Sequence, residues 1–278
     1  MNNFLLCTDM DRTLIPNGAQ YESAGARVLF AKLAKQPQAT LVYVTGRHQT
    51  LIQEAIHDFQ LPSPDFAIAD VGATIYEVND GIWSAWDEWS QAIDSDWKGK
   101  STKQLHMLLA DLPALTLQEP EKQSRHKLSY YTVLTADEKA ILNTVHQRLQ
   151  EHDIQANLIW SIDEQANIGL LDILPASANK LLAIEFLMKK RGFTIETTVF
   201  AGDSGNDLDV LLSPIHAVLV ANASSEVKAI VAKANLSSSL YQAKGNHLGM
   251  NGNYSAGILE GVSHYLPDVG NWLKEQAS

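Results

Sequence analysis

Two aspartates, Asp9 and Asp11, close the apolar run of "FLLCTDMDRTLIPN" (residues 4–17), and Thr13 follows two positions later. Paired carboxylates repel, so such a site needs either a divalent cation, most simply Mg²⁺, or a retained proton. If the apolar run is a strand, its two-residue period sends both acids to one side of the emerging loop. A calcium loop of the EF-hand kind is excluded, because position six would be Leu14 instead of glycine and position twelve Gln20 instead of glutamate.

Three further features have the chemistry to complete a site. Thr45-Gly46-Arg47 ends the apolar run "VYV" and opens a helical pattern. A hydroxyl, free amides and a helix start suit a phosphate oxygen, although Thr-Gly is also ordinary capping chemistry. Lys180 falls in the first turn of a helix starting near Ser177 or Asn179. A cation there opposes the helix dipole, so either an anion holds it or it is a plain surface lysine. In "VFAGDSGNDLDVL", Asp203 and Asp207 follow an apolar run in a loop loosened by Gly202 and Gly205. This is no dinucleotide fingerprint, since acids stand where a pyrophosphate would lie. Together the four features describe a metal-dependent phosphoryl hydrolase. A cation neutralises Asp9, Asp11 and Asp203, Thr45 and Lys180 take phosphate oxygens, Asp9 attacks phosphorus and Asp11 moves the proton.

The elements that must position these groups alternate strand and helix. Strand-like "FLLCT", "ATLVYVT", "DFAIAD", "TTVFAG" and "HAVLVAN" are separated by helical patterns over 20–35, 49–59, the stretch ending at Gly192, 206–212 and 225–234. Continuous apolar strands between helices predict an α/β doubly wound parallel sheet. The middle of the chain, about Trp83 to Trp160, is more polar and carries "LTLQEP", "KLSYYTVL" and "ANLIWSI" around one long helical stretch. That pattern predicts an inserted α+β domain spanning 83–167, with 1–82 and 168–278 forming the core. About 130 residues separate Arg47 from Lys180, far beyond the ~12 that a crossover needs, so the insertion lies there. Trp83, Trp86, Trp89 and Trp97 cluster at its entry, to pack against the inserted sheet or to stack on a sugar.

The 278 residues, 45% hydrophobic with net charge −11, suffice for a large buried core and disfavour nucleic acid or anionic membranes as partners. Lys189-Lys190-Arg191 complements a helix end. Cys7, the single cysteine, reads as core. With no signal-peptide pattern and no membrane-spanning run, a cytoplasmic protein is expected.

At these residues the chain resembles the haloacid dehalogenase (HAD) superfamily of phosphatases, whose motifs appear as Asp9-Met10-Asp11-Arg12-Thr13, Thr45, Lys180 and Gly202-Asp203-Ser204-Gly205-Asn206-Asp207. "DMDRTLI", "VTGR", "DVGATIY", "KLSYY", "LDILPASANK", "GDSGND" and "YSAGILEG" further resemble the sucrose-phosphate phosphatase family. The resemblance implies Asp9 as nucleophile, Asp11 as acid/base, and phosphate binding by Thr45, Gly46, Arg47, Lys180 and Asn206. It implies Mg²⁺ held by Asp9, the Asp11 main-chain carbonyl and Asp203, with Asp207 in the metal site. It also implies a cap over the sugar, with Lys127 as a candidate contact, a monomer acting on sucrose 6-phosphate, and a sucrose-phosphate synthase as a conceivable partner. Mannosylfructose phosphate and glucosylglycerol phosphate are the alternative substrates. Leu181 departs from the small residue expected after the lysine, and the return "SIDEQANIGLLDILP" is longer than expected. Outside enzymes, a phospho-accepting signalling module would need neither Asp11 nor a cap, and a scaffold would need none of the four features.

Overall fold

The structure, a computed structural model, describes residues 1–163, 166–234 and 238–277. Two residues of the long return segment, Glu164 and Gln165, lie outside this description. In chain order the strands are β1 (Phe4–Thr8), β2 (Ala39–Val44), β3 (Phe66–Ala69), β4 (Thr74–Asn79), β5 (Ile82–Ala85), β6 (Thr116–Leu117), β7 (Leu128–Thr132), β8 (Ala156–Asp163), β9 (Ile168–Pro175), β10 (Thr198–Gly202), β11 (His216–Leu219) and β12 (Leu240–Gln242). The helices are α1 (Ala26–Ala34), α2 (Gln49–Asp58), α3 (Asp87–Asp94), α4 (Thr102–Leu109), α5 (Glu138–Gln150), α6 (Lys180–Arg191), α7 (Leu208–Leu211), α8 (Ser225–Lys233), α9 (Ser255–Tyr265) and α10 (Pro267–Ala277). No described helix is long and apolar enough to cross a membrane.

The first unit, Met1–Ala85 with the chain from Lys180 onward, contains an eight-stranded sheet ordered β12-β11-β10-β1-β2-β3-β4-β5. The six strands from β12 to β3 run parallel, and β4 and β5 add antiparallel ladders at one edge. All five residues of β1 are buried, as expected for a strand covered on both faces. Phe4 and Leu6 join Leu29, Phe30 and Leu33 of α1 and Ile258, Leu259 and Val262 of α9 in one core. Each such side chain contributes roughly 1.5–3 kcal/mol of burial. Cys7 is fully buried, as core. From β1 the chain winds to β2 and β3 on one side and returns later to β10, β11 and β12 on the other. The carboxyl end of β1 is therefore the switch point where an open α/β sheet leaves a crevice.

The second unit, Trp86–Asn179, is a four-stranded antiparallel sheet ordered β6-β7-β9-β8 with α4 and α5 against it. Its own core gathers Trp97, Leu105, Leu109, Tyr130, Val145, Leu149, Leu171 and Ile173. The division falls at Ala85 and Asn179, not at 82 and 167. The later boundary moves because β9 pairs with both β7 and β8, and Leu171 and Ile173 fill the inserted core. The earlier one moves because β5 pairs with β4 and Trp83 stacks edge-on to Tyr76 at 5.7 Å. Trp89 and Trp97 are buried at 3% and 0% exposure, so both are packing residues.

Other differences are local. The helix expected from residue 20 begins only at Ala26, because residues 21–23 are tied to the distant 251–255 turn. The Tyr21 carbonyl accepts from Asn251 and Asn253, and Ser23 Oγ accepts from the Asn251 amide. The helix expected over 206–212 is a 3₁₀ turn, Gly205–Asp207, followed by the single-turn α7. In "LTLQEP" only Thr116–Leu117 pairs as a strand.

Candidate active site

The sheet brings Asp9, Thr45, Lys180 and the Asp203 loop to the carboxyl ends of β1, β2 and β10. Asp9 follows β1, and its amide still donates to the Ala201 carbonyl at 2.9 Å. A tight turn then forms in which Leu14 and Ile15 both donate to the Met10 carbonyl, with Met10, Leu14 and Ile15 buried beneath it. Thr13, fully buried, directs its hydroxyl to Asp203 Oδ1 at 3.2 Å and Asp9 Oδ2 at 3.4 Å. The last residue of the D-x-D-x-T motif thus braces two carboxylates against each other.

Lys180 begins α6 and is 1% exposed. Its ammonium lies 2.9 Å from Asp9 Oδ1, 2.6 Å from Asp207 Oδ1 and 3.2 Å from Asn206 Oδ1. Neighbouring carboxylates therefore explain the cation at the start of this helix. Burial works against its charge, but Asp207 and Asp9 outweigh that and hold Lys180 firmly protonated. The other oxygen of Asp207 accepts from the amides of Asp203 and Ser204 and from the Ser204 hydroxyl. Asp207 is fully occupied in folding its own loop and fixing Lys180.

Asp9, Asp203 and Asp207 each offer an oxygen within 4.8 Å of the others, the one such group among the described residues. Burial first, then the Asp207 and Asp203 charges against the pull of Lys180, pushes the Asp9 carboxyl up to about 8. Burial and Asp207 likewise push Asp203 up to about 6, against Arg12, Thr13 and Lys180. Among the described residues Asp203 Oδ2 is buried without a hydrogen bond, and the Arg12 guanidinium lies 3.5 Å from it. An orphaned buried carboxylate oxygen beside a second acid suits a hard divalent cation. Asp9 and Asp203 would hold it.

A pH-dependent metal effect follows from these shifts. Raised folded values mean that, without a cation, the folded protein keeps protons the unfolded chain releases. This stability is full below about pH 4 and is lost as pH rises through about 6 and then about 8. A divalent cation offsets the exposed charge, so the rise in Tm produced by Mg²⁺ should grow between pH 5 and pH 8.5 in thermal scans. A pH-independent gain would count against this cluster as the metal site.

Asp11 does not join that cluster. The turn sends its carboxylate to Arg47, whose Nε and Nη2 meet its two oxygens at 2.8 and 2.7 Å, while Asn17 Nδ2 donates at 2.7 Å. Burial would raise the Asp11 carboxyl, but Arg47 and then Asn17 outweigh it and hold it below its ordinary value. Two carboxylates two residues apart thus have opposite environments: one crowded by acids, one paired with a guanidinium. The expectation of a shared metal-facing side is corrected for the Asp11 side chain, and Arg47 serves here as its partner.

Thr45, 1% exposed, follows β2, and its hydroxyl accepts the Arg47 amide at 3.2 Å. Gly46 lies open, since a Cβ there would meet only Val71 Cγ2, at 3.7 Å. Behind it, Asp70, Val71 and Gly72 run through three positive φ angles of 51°, 58° and 104°. The Asp70 and Val71 amides donate to the Arg47 and Thr45 carbonyls. A β-branched residue in that region is unusual, and here it buttresses the Thr45–Arg47 turn. The motif "DVGATIY" signals this segment, although nothing in its residue types announces the strain. Within the inserted unit, Lys127 is 7% exposed with Nζ 3.7 Å from Asp172 Oδ2, whose Oδ1 accepts the Ser129 hydroxyl at 2.5 Å.

Gly202 permits the whole acidic loop. A Cβ at this position would lie 2.6 Å from Asp207 Cγ and 2.7 Å from its Oδ2. Gly202→Ala should displace Asp207 from Lys180, costing roughly 1–3 kcal/mol of stability by overpacking and most of the activity. Urea unfolding and phosphate release measure the two.

A buried lysine shared by carboxylates at the switch point of a doubly wound sheet, with a D-x-D-x-T turn braced by its own threonine, defines a phosphatase of the haloacid dehalogenase superfamily. The family model for sucrose-6F-phosphate phosphohydrolase matches residues 2–266. The chain belongs to that family. It is 52% identical over 273 residues to a HAD-like hydrolase of Nitrosococcus oceani, covering 97% of this chain and 74% of that one. It is 34% identical over 198 residues to sucrose-phosphatase 1 of Nicotiana tabacum, covering 67% of this chain but 42% of the tobacco protein. Thus the chain spans about half or less of the plant sucrose phosphatases it matches. The solved sucrose-phosphatase of Synechocystis sp., in complex with sucrose and phosphate, shares its fold with a TM-score of 0.72 at 23% identity over 95% of this chain and 98% of that one.

Proposed function

We propose that the protein hydrolyses sucrose 6-phosphate to sucrose and phosphate through an aspartyl-phosphate on Asp9, with Mg²⁺ as its cofactor. The observation that carries the mechanism is the buried Lys180 ammonium, within 3 Å of both Asp9 and Asp207. Family membership over residues 2–266 carries the substrate class. Asp9 is the nucleophile, its carboxylate oriented by Lys180 and Thr13. Thr45, the Gly46 amide, Lys180 and Asn206 bind phosphate oxygens. Bound Mg²⁺ would supply charge neutralisation between the acids and the phosphate, with Asp9 and Asp203 as its carboxylate ligands. Asp11, once an incoming phosphate draws Arg47 away from it, carries the proton donated to the departing sugar alkoxide, then takes one from the water that cleaves the acyl-phosphate. Arg47, already close to Asp11, is the guanidinium an incoming phosphate would meet beside that acid. Lys127 in the inserted unit is a sugar contact.

Sugar identity is the finer part of the proposal. The Nitrosococcus relative carries no sugar in its description, and Leu181 replaces the family's small residue. Mannosylfructose phosphate and glucosylglycerol phosphate therefore belong beside sucrose 6-phosphate in the test. Phosphate release across a panel of these three and simple hexose phosphates should give the highest kcat/KM for sucrose 6-phosphate. Turnover of sucrose 6-phosphate no faster than glucose 6-phosphate would remove the sucrose assignment and leave the phosphatase standing.

A further inference from the structure

The turn between Asp9 and Asp11 is held from two directions by carboxamides. Arg12 sits at φ 61°, a left-handed conformation costing a non-glycine residue on the order of 1 kcal/mol. Both of its peptide groups are taken. Its N–H donates to Asn17 Oδ1 at 2.8 Å and to the Ile15 carbonyl at 3.1 Å. Its carbonyl accepts Nδ2 of Asn222 at 2.6 Å. Asn17 then gives the other end of its amide to Asp11 Oδ1 at 2.7 Å.

Asn222 comes from the loop after β11, 210 residues along the chain, and is 4% exposed. Its Oδ1 accepts the amide of Tyr254 at 2.9 Å. Tyr254 is itself buried, at φ 49°, and its hydroxyl donates to the Gln20 carbonyl at 3.1 Å. Two left-handed residues are thus joined by one side chain that donates at one end and accepts at the other. A carboxamide does both from two separate atoms of one planar group. Aspartate would aim an oxygen at the Arg12 carbonyl, and an alkyl chain would take the side-chain partner from that carbonyl and from the buried Tyr254 amide.

We infer that Asn17 and Asn222 are positioning residues for the proton-transfer step, clamping the Arg12 peptide so that the Asp11 carboxylate stays clear of the Asp9–Asp203–Asp207 cluster. The inference rests on Asp11 being the acid/base. Neither asparagine exchanges a proton; Asn222 acts through the direction in which Asp11 points, and Asn17 through that direction and its own hydrogen bond to the Asp11 carboxylate. Their contribution should therefore scale with the need for an acid. A sugar alkoxide must be protonated as it departs, whereas p-nitrophenolate leaves readily as the anion.

The test compares Asn17→Ala, Asn222→Asp and Asp11→Asn with wild type on sucrose 6-phosphate or glucose 6-phosphate and on p-nitrophenyl phosphate, at saturating Mg²⁺. On the sugar ester, the single-turnover rate of alcohol release, which precedes the water step both esters share, should fall about tenfold or more in both asparagine variants while KM stays within about twofold. On the aryl ester the fall should be less than about threefold, a split that general loss of structure cannot produce. Asp11→Asn should show the same split, larger. Asn17 is exposed, so Asn17→Ala decides the matter if Asn222→Asp does not fold. Discrimination in Asp11→Asn but not in Asn17→Ala would overturn the inference alone. Equal losses of that alcohol-release rate on both esters in Asp11→Asn would remove the acid role of Asp11 and the inference with it.

Discussion

Asp9→Asn should abolish turnover, by on the order of 10³-fold or more, equivalent to at least about 4 kcal/mol of transition-state stabilisation. An amide is a poor nucleophile, and it cannot supply the charge that Lys180 and a cation both face. The fold should survive. Asp9 is one of three acids within 4.8 Å of one another, and removing one charge relieves the burial and repulsion that push its own carboxyl up to about 8. The variant should therefore unfold in urea no earlier than wild type without Mg²⁺, and gain less from added Mg²⁺. Acid quenching should trap a phosphorylated enzyme in wild type and none in Asp9→Asn. Retention of even a tenth of the wild-type rate would end the assignment of Asp9 as nucleophile.

What the residue order revealed, and what it hid, follows from the range of the interactions. Asp9, Thr45, Lys180 and the Asp203 loop could be read because each follows an apolar run or opens a helix, and strand ends in a parallel sheet converge. The doubly wound core followed from the same apolar runs. The partnership of Asp11 with Arg47 was hidden. A two-residue period puts Asp9 and Asp11 on one side only while the chain stays extended, and β1 ends at Thr8, before the turn in which Leu14 and Ile15 close on the Met10 carbonyl. The late boundary of the inserted unit was hidden too, because β9 is an apolar run like any core strand. Only its pairing with β7 and β8 assigns it to the second sheet. Asn17, Asn222 and the Asp70–Gly72 turn carry no periodic signal, since their work is to hold single peptide groups in place.

Lys180→Met should cost the fold more than any other single change in the site. The substitution keeps the volume of the stem and removes a fully charged, buried partner of Asp9 and Asp207. Removing one member of a buried ion pair leaves uncompensated charge, at about 3–5 kcal/mol. Activity should fall by roughly 10²–10³-fold as well, because the ammonium faces where negative charge develops. The stability loss carries a distinctive pH dependence. Without the lysine, the Asp9 carboxyl loses the influence that lowers it, so the folded state binds its proton more tightly still. The variant can then relieve its buried charge by protonation fully at pH 5 and less completely at pH 8.5. The gap from wild type in urea unfolding should accordingly widen as pH rises, and Mg²⁺ should narrow it at the alkaline end. A gap constant with pH would mean that Lys180 stabilises the protein through its packing, and that the carboxylates around it are not the charges it compensates.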